Sequence, residues 1–80
     1  MRDLPDDEAQ WSADRLRAIG DRVRAERLRQ NLTQDQLWQA ARVDRRTVQN
    51  IEAGREMKVG TLLRIAWVLE MSLADFEERG

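Results

Sequence analysis

LTQDQLWQAARVDRRTVQNIEAG, residues 32–54, decides the fold of this 80-residue chain. Thr33 with Gln36 three residues on spells a capping box, a reciprocal pair of side-chain to backbone hydrogen bonds that opens a helix. Asp35 complements the positive end of that helix's dipole, so a helix is predicted over residues 34–41. The Arg42-Val43 connection is short, and Asp44 is a residue type that caps helices. Gly54 suits the left-handed backbone just past a helix end, so a second helix is predicted over 44–53. Leu37, Ala41, Val43, Val48 and Ile51 are spaced for the two helices to cross and bury their inner faces against each other.

Two short helices joined by a few residues are a helix-turn-helix candidate. The outer face of the second is polar and presents Arg45, Arg46, Gln49 and Asn50 at i, i+1, i+4 and i+5, near the helix N-terminus. Arginine can donate to O6 and N7 of guanine, and glutamine or asparagine can pair with N6 and N7 of adenine. A helix of about ten residues is about 15 Å long and fits a DNA major groove.

Upstream, residues 12–30 read as a helix with Leu16, Ile19 and Val23 on one face, and Asn31 suits the left-handed residue that ends it. Gly20 inside this segment costs roughly 1 kcal/mol relative to alanine, a local weakness. Residues 5–11 either extend the helix or form a tail. Downstream, a polar loop over 55–60 leads to a helix over 61–69 with Leu62, Ile65, Ala66 and Leu69 on one face. Ser72 with Asp75 makes a second capping box, opening a short last helix that carries Leu73 and Phe76. One proline, four glycines and no alternating β-branched run predict an all-α protein of five helices, divided into an acidic extension, 1–14, and one domain, 15–80.

Composition narrows the function. A chain this short buries only about 60 to 65% of the surface its unfolded form exposes, enough for one modest core. It has no Cys and no His, so disulfides, thiolate nucleophiles, the usual metal ligands and the side chain that titrates near neutrality are missing; no catalytic residue, metal or cofactor is expected. The longest apolar run, Ile65 to Leu69, falls far short of the roughly 18 residues a membrane span needs, and no signal-peptide core follows Met1. A soluble cytoplasmic protein is predicted. The net charge of −1 conceals a segregation: −4 over residues 1–14, +5 over 15–58 and −2 over 59–80. A basic middle between acidic ends marks either a polyanion-binding face or solvated helix surfaces. Thirteen arginines to one lysine, Lys58, reflect either codon usage or the bidentate geometry that suits phosphate and guanine.

The chain resembles the lambda-repressor-like, Cro and xenobiotic-response-element family of helix-turn-helix proteins over roughly residues 19–76. The motifs are Ile19-Gly20 with Val23 and Arg27, Leu32-Thr33-Gln34 with Leu37, Val43 with Val48, Ile51-Glu52-Ala53-Gly54, and Thr61-Leu62-Leu63-Arg64-Ile65-Ala66 with Leu69. The resemblance implies a five-helix bundle that binds a palindromic DNA operator as a homodimer, its third helix in the major groove, with a nucleoid-associated repressor as the simplest function. By position it makes Arg45, Arg46, Gln49 and Asn50 base readers and Gln34 a phosphate anchor, with Thr47 a further phosphate contact. Arg27 and Glu52 sit where the family often keeps a buried structural ion pair.

Two positions depart from the family pattern. Position 38, where two helices cross closely, is normally small but holds Trp38; position 42 is normally glycine but holds Arg42. The expectation is a reshaped turn, with Trp38 displaced outward or the crossing opened. The usual proline after Gly54 is also missing. Each tryptophan is either core filler or something more: Trp67 falls where the family keeps a polar residue and suits a subunit interface with Phe76, and Trp11 either staples the acidic extension or dangles. Asp44 is a helix cap or a partner for cytosine N4, and Arg55 and Lys58 are phosphate contacts or structural groups. No small-molecule ligand is evident. The alternative function is a helix-turn-helix scaffold for another protein, with Trp38, Trp67 and the acidic extension forming the interface.

Overall fold

The computed structural model describes residues 1–76 and lays four α-helices along them: α1 over Glu8–Arg29, α2 over Gln34–Ala41, α3 over Arg45–Glu52 and α4 over Val59–Leu69, followed by a 3-10 helix over Leu73–Phe76. No strand occurs among the described residues. The all-α prediction holds, but the fifth α-helix is corrected to one 3-10 turn. There Asp75 Oδ2 accepts from the Ser72 N–H at 2.7 Å while the Asp75 N–H donates to the Ser72 carbonyl at 3.0 Å, an i to i+3 closure that tightens the turn. The last four positions of the predicted 15–80 domain lie outside the described residues.

All four α-helices end by one device. A residue in the left-handed region, Asn31, Arg42, Gly54 or Glu70, breaks the helix. The next N–H then reaches back five residues: Leu32 to the Arg27 carbonyl, Val43 to Trp38, Arg55 to Asn50 and Met71 to Ala66, at 2.8–3.0 Å. These bonds satisfy carbonyls that the helix ends would leave orphaned. Starts are less uniform. Thr33 Oγ1 accepts from the Gln36 N–H at 3.0 Å and Gln36 Oε1 from the Thr33 N–H at 2.8 Å, the predicted capping box. Asp44 occupies the cap position of α3 in extended backbone, yet its side chain makes no capping bond. α1 begins at Glu8, so part of the acidic extension is helical, and α4 begins two residues before its predicted start.

The turn between α2 and α3 is not reshaped, contrary to the expectation from Arg42. Arg42 adopts the left-handed conformation itself, at φ 57° and ψ 46°. Trp38 lies half-buried at the edge of the core, and its indole Nε1 donates to Asp35 Oδ1 at 2.9 Å. Val23, Leu37, Val48, Ile51, Ile65 and Leu69 are fully buried and join all four helices. Gly20 is part of that packing: a Cβ there would collide with the Ile51 carbonyl oxygen, so the glycine lets α1 lie directly against the end of α3.

Candidate nucleic-acid interface

α3 is held by its two ends. At its C-terminus Glu52 meets Arg27 of α1 in a buried pair, with Arg27 Nε 2.7 Å from Glu52 Oε2 and Nη2 donating to Oε1 at 2.9 Å. The remaining terminal nitrogen, Nη1, donates to the Leu32 carbonyl at 2.7 Å. Gln34 Nε2 adds a bond to Glu52 Oε1 at 3.2 Å. The carboxylate stabilises the guanidinium and raises the Arg27 pKa further, against the opposing effect of burial. One two-pronged pair thus fixes α1, the start of α2 and the end of α3 relative to each other. The side chain of Gln34, the expected phosphate anchor, is engaged in this network.

Between those ends, Val48 and Ile51 turn one side of α3 into the core. Arg45, Arg46 and Gln49 are exposed on the other, while Thr47 and Asn50 are half-buried at its margin. Arg45 is held back toward α2, its Nε 3.2 Å from Asp35 Oδ1. Asp35 therefore grips both Trp38 and Arg45, a role the sequence reading missed; the i, i+3 spacing of Asp35 and Trp38 was the available signal. Arg46 and Gln49 have no side-chain partner among the described residues, so both can meet a ligand without breaking an internal bond.

Asn50 Oδ1 accepts from Arg55 Nη1 at 2.8 Å, which leaves the Asn50 amide nitrogen as its outward donor. Lys58 is exposed at the start of α4, and with Thr47, Asn50, Glu56, Met57 and Thr61 it lines a shallow hollow beside α3. The structure thus gathers Arg45, Arg46, Thr47, Gln49, Asn50, Arg55 and Lys58 along α3 and the loop after it. Among the described residues no cluster of His, Cys, Asp or Glu is placed to hold a metal ion, and no helix is long and apolar enough to cross a membrane.

The two residues grouped as an interface separate. Trp67 is 83% exposed, on the far side of α4 from the core, whereas Phe76 is 8% exposed and packs in the core, where the 3-10 turn folds it back against α1. Phe76 is therefore corrected to a core residue.

Residues 18–78 match a family model described as a helix-turn-helix domain. No curated protein and no solved structure matches the chain.

Proposed function

The chain belongs to the helix-turn-helix domain family, and on that premise we propose that it is a sequence-specific DNA-binding regulator of transcription, a repressor acting in the cytoplasm on the nucleoid as a homodimer. α3 enters the major groove. Arg45, Arg46, Gln49 and Asn50 read base edges, while Thr47, Arg55, Lys58 and the N-terminal end of α2 at Gln34 meet phosphates. No cofactor and no catalytic step belong to this reading. The observation that carries it is the exposed row Arg45, Arg46 and Gln49, backed by the buried Val48 and Ile51 and anchored through the Arg27–Glu52 pair. The row is rigid behind, and Arg46 and Gln49 are free in front to read bases without first rearranging the protein, while Arg45 exchanges its Asp35 contact for a base.

Two copies related by a two-fold axis would read half-sites about one helical turn, 10 to 10.5 base pairs, apart. The test is selection of bound duplexes from a randomised pool at about 0.15 M salt, where non-specific binding is weakened by counterion competition. Enrichment of a palindrome with guanines at that spacing is expected. A folded chain that enriches nothing would sink the reading and favour the alternative, a helix-turn-helix scaffold for another protein.

A further inference from the structure

The exposed side of α4 bears a feature that the proposed DNA face does not use. Trp67 is 83% exposed and Leu63, one turn before it, 45%, while Leu62, Ile65, Ala66 and Leu69 face the core. Two hollows share Ala40, Trp67 and Val68, so they meet as one groove between the end of α2 and α4. Their volumes, about 450 Å³ and about 650 Å³, fall in the range of clefts that hold ligands. The groove has two chemically different ends. One is lined by Leu63, Arg42 and Arg64 and by no carboxylate among the described residues; the other reaches Glu70 and Met71, past the end of α4.

The two arginines decide what the groove suits. Neither has an internal hydrogen-bond or ion-pair partner for its side chain among the described residues. Arg42 also holds the left-handed backbone of the α2–α3 turn, at φ 57°, a conformation that glycine takes without the steric clash. Its guanidinium thus stands at the lip of the groove with no internal bond that uses it. Two unengaged guanidinium groups beside an exposed indole and aliphatic side chains complement a ligand that carries carboxylates next to a large apolar side chain. A guanidinium fork binds a carboxylate through two parallel hydrogen bonds, and arginine clusters are a recurring way of recognising acidic motifs. Tryptophan and arginine are also the side chains that most often dominate the energy of an interface. A nucleic-acid strand fits less well, because it carries a charge at every phosphate and its backbone would pass Glu70 further along the groove. A peptide can confine its acidic residues to one end. Of the residues proposed to meet DNA, none lines the groove, so the two surfaces are separate.

We propose that this groove docks a partner protein through a short acidic segment, a large apolar side chain of that segment lying against Trp67, Leu63 and Val68 and its carboxylates on Arg42 and Arg64. This goes beyond the DNA reading and does not rest on it: it gives the chain a protein partner on a second surface.

Selection from a displayed pool of random short peptides on the immobilised full chain, with Trp67→Ala as the counter-selecting bait, reads the chemistry of the occupant. Enriched peptides are expected to place Asp or Glu beside Leu, Phe or Trp. Affinities are then measured by fluorescence anisotropy at about 0.15 M salt, where long-range attraction is screened. Arg64→Glu should weaken the enriched peptides about tenfold or more. Replacing the carboxylates of a peptide by lysines should abolish its binding to the natural chain and restore binding to a chain carrying both Arg42→Glu and Arg64→Glu. Circular dichroism of each variant confirms that these exposed changes leave the helices intact. A pool that enriches nothing over the counter-selection overturns the proposal, as do enriched peptides without acidic residues or affinities that ignore the charge reversals. Self-association of the natural chain that Trp67→Ala abolishes would give the groove to a second copy, and loss of duplex selection by Arg64→Glu would give it to DNA; either overturns the proposal. The DNA reading is scored by duplex selection alone, so a natural chain that binds acidic peptides and enriches no duplex supports the groove and removes that reading.

Discussion

In the proposed DNA reading, Arg46 is the side chain on which specificity turns. Arg45 must share its guanidinium with Asp35, and Asn50 shares its oxygen with Arg55, but Arg46 projects from the first turn of α3 with no internal partner among the described residues. Arg46→Ala is expected to cost about 1 to 3 kcal/mol on the preferred site and to relax one base position, with much less effect on random DNA. Titrations of both duplexes at one salt concentration check this; equal losses would make Arg46 a phosphate contact. A few positions away, Arg42 carries a conformational cost. A residue with a Cβ in the left-handed region loses about 1 to 2 kcal/mol, while glycine there avoids the clash but gives up more entropy on folding. Arg42→Gly should therefore raise stability by about 0.5 to 1 kcal/mol in chemical denaturation. A lower stability would mean that the Arg42 side chain, which borders the hollow beside Leu63 and Trp67, stabilises the turn by more than its backbone costs. Gly20 shows the opposite relation: a residue that looks like a weakness in an isolated helix is required because the Ile51 carbonyl lies against it.

Among the elements, a side-chain hydrogen bond ties the end of α1 to the end of α4. Gln30 Nε2 donates both to Glu26 Oε1 at 3.0 Å and to the Leu69 carbonyl at 2.9 Å, while Arg29 donates to the same Glu26 carboxylate. The Arg29 and Gln30 hydrogen bonds hold the Glu26 pKa down from 4.5 to about 2. Because the folded value is the lower one, the unfolded chain binds this proton more readily. The contribution is present above about pH 4.5 and fades as pH falls toward about 2. Denaturation midpoints for the natural chain should drop across that window, and Glu26→Gln should flatten the drop; identical slopes would refute the assignment. The helix punctuation was legible because each signal spans a few residues. Thr33 with Gln36, Asn31 and Gly54 act on their own backbone and do so in the structure. Helical period likewise sufficed to place Arg45, Arg46, Gln49 and Asn50 away from Val48 and Ile51. What escaped depends on the angle between helices: Asp35 reaching Arg45, Gln34 turning to Glu52, and Phe76 folding back into the core. Asp44 has the residue type of a cap and the backbone of one, but residue type does not dictate where the carboxylate points.

At the scale of the whole molecule, the charge segregation in the sequence becomes a spatial arrangement. The N-terminal turns of α1 do not contribute to the core, which Ile19 is the first α1 side chain to touch and Val23 the first to enter. Instead Trp11, half exposed with the Arg15 guanidinium 5.7 Å over its ring, borders a hollow with Ser12, Leu16, Glu56 and Met57. That hollow places the acidic end of the chain beside the loop whose Arg55 and Lys58 are proposed to meet phosphate. Residues 1–10 carry Asp3, Asp6, Asp7 and Glu8 against Arg2, four negative charges less one positive, or −3. A DNA backbone approaching the loop must come close to this charge, which opposes binding without regard to sequence. Removal of residues 1–10 should therefore tighten binding to random duplex several-fold at low salt. The gain should shrink as salt rises, because the screening length falls from about 30 Å at 0.01 M to about 8 Å at 0.15 M. Specific and random affinities measured in parallel separate the effect from base reading, since both should rise by a similar factor. An unchanged affinity at low salt would show that the acidic turns are only a solvated helix end. A gain that persisted undiminished at high salt would instead mean that the extension occupies the DNA face sterically.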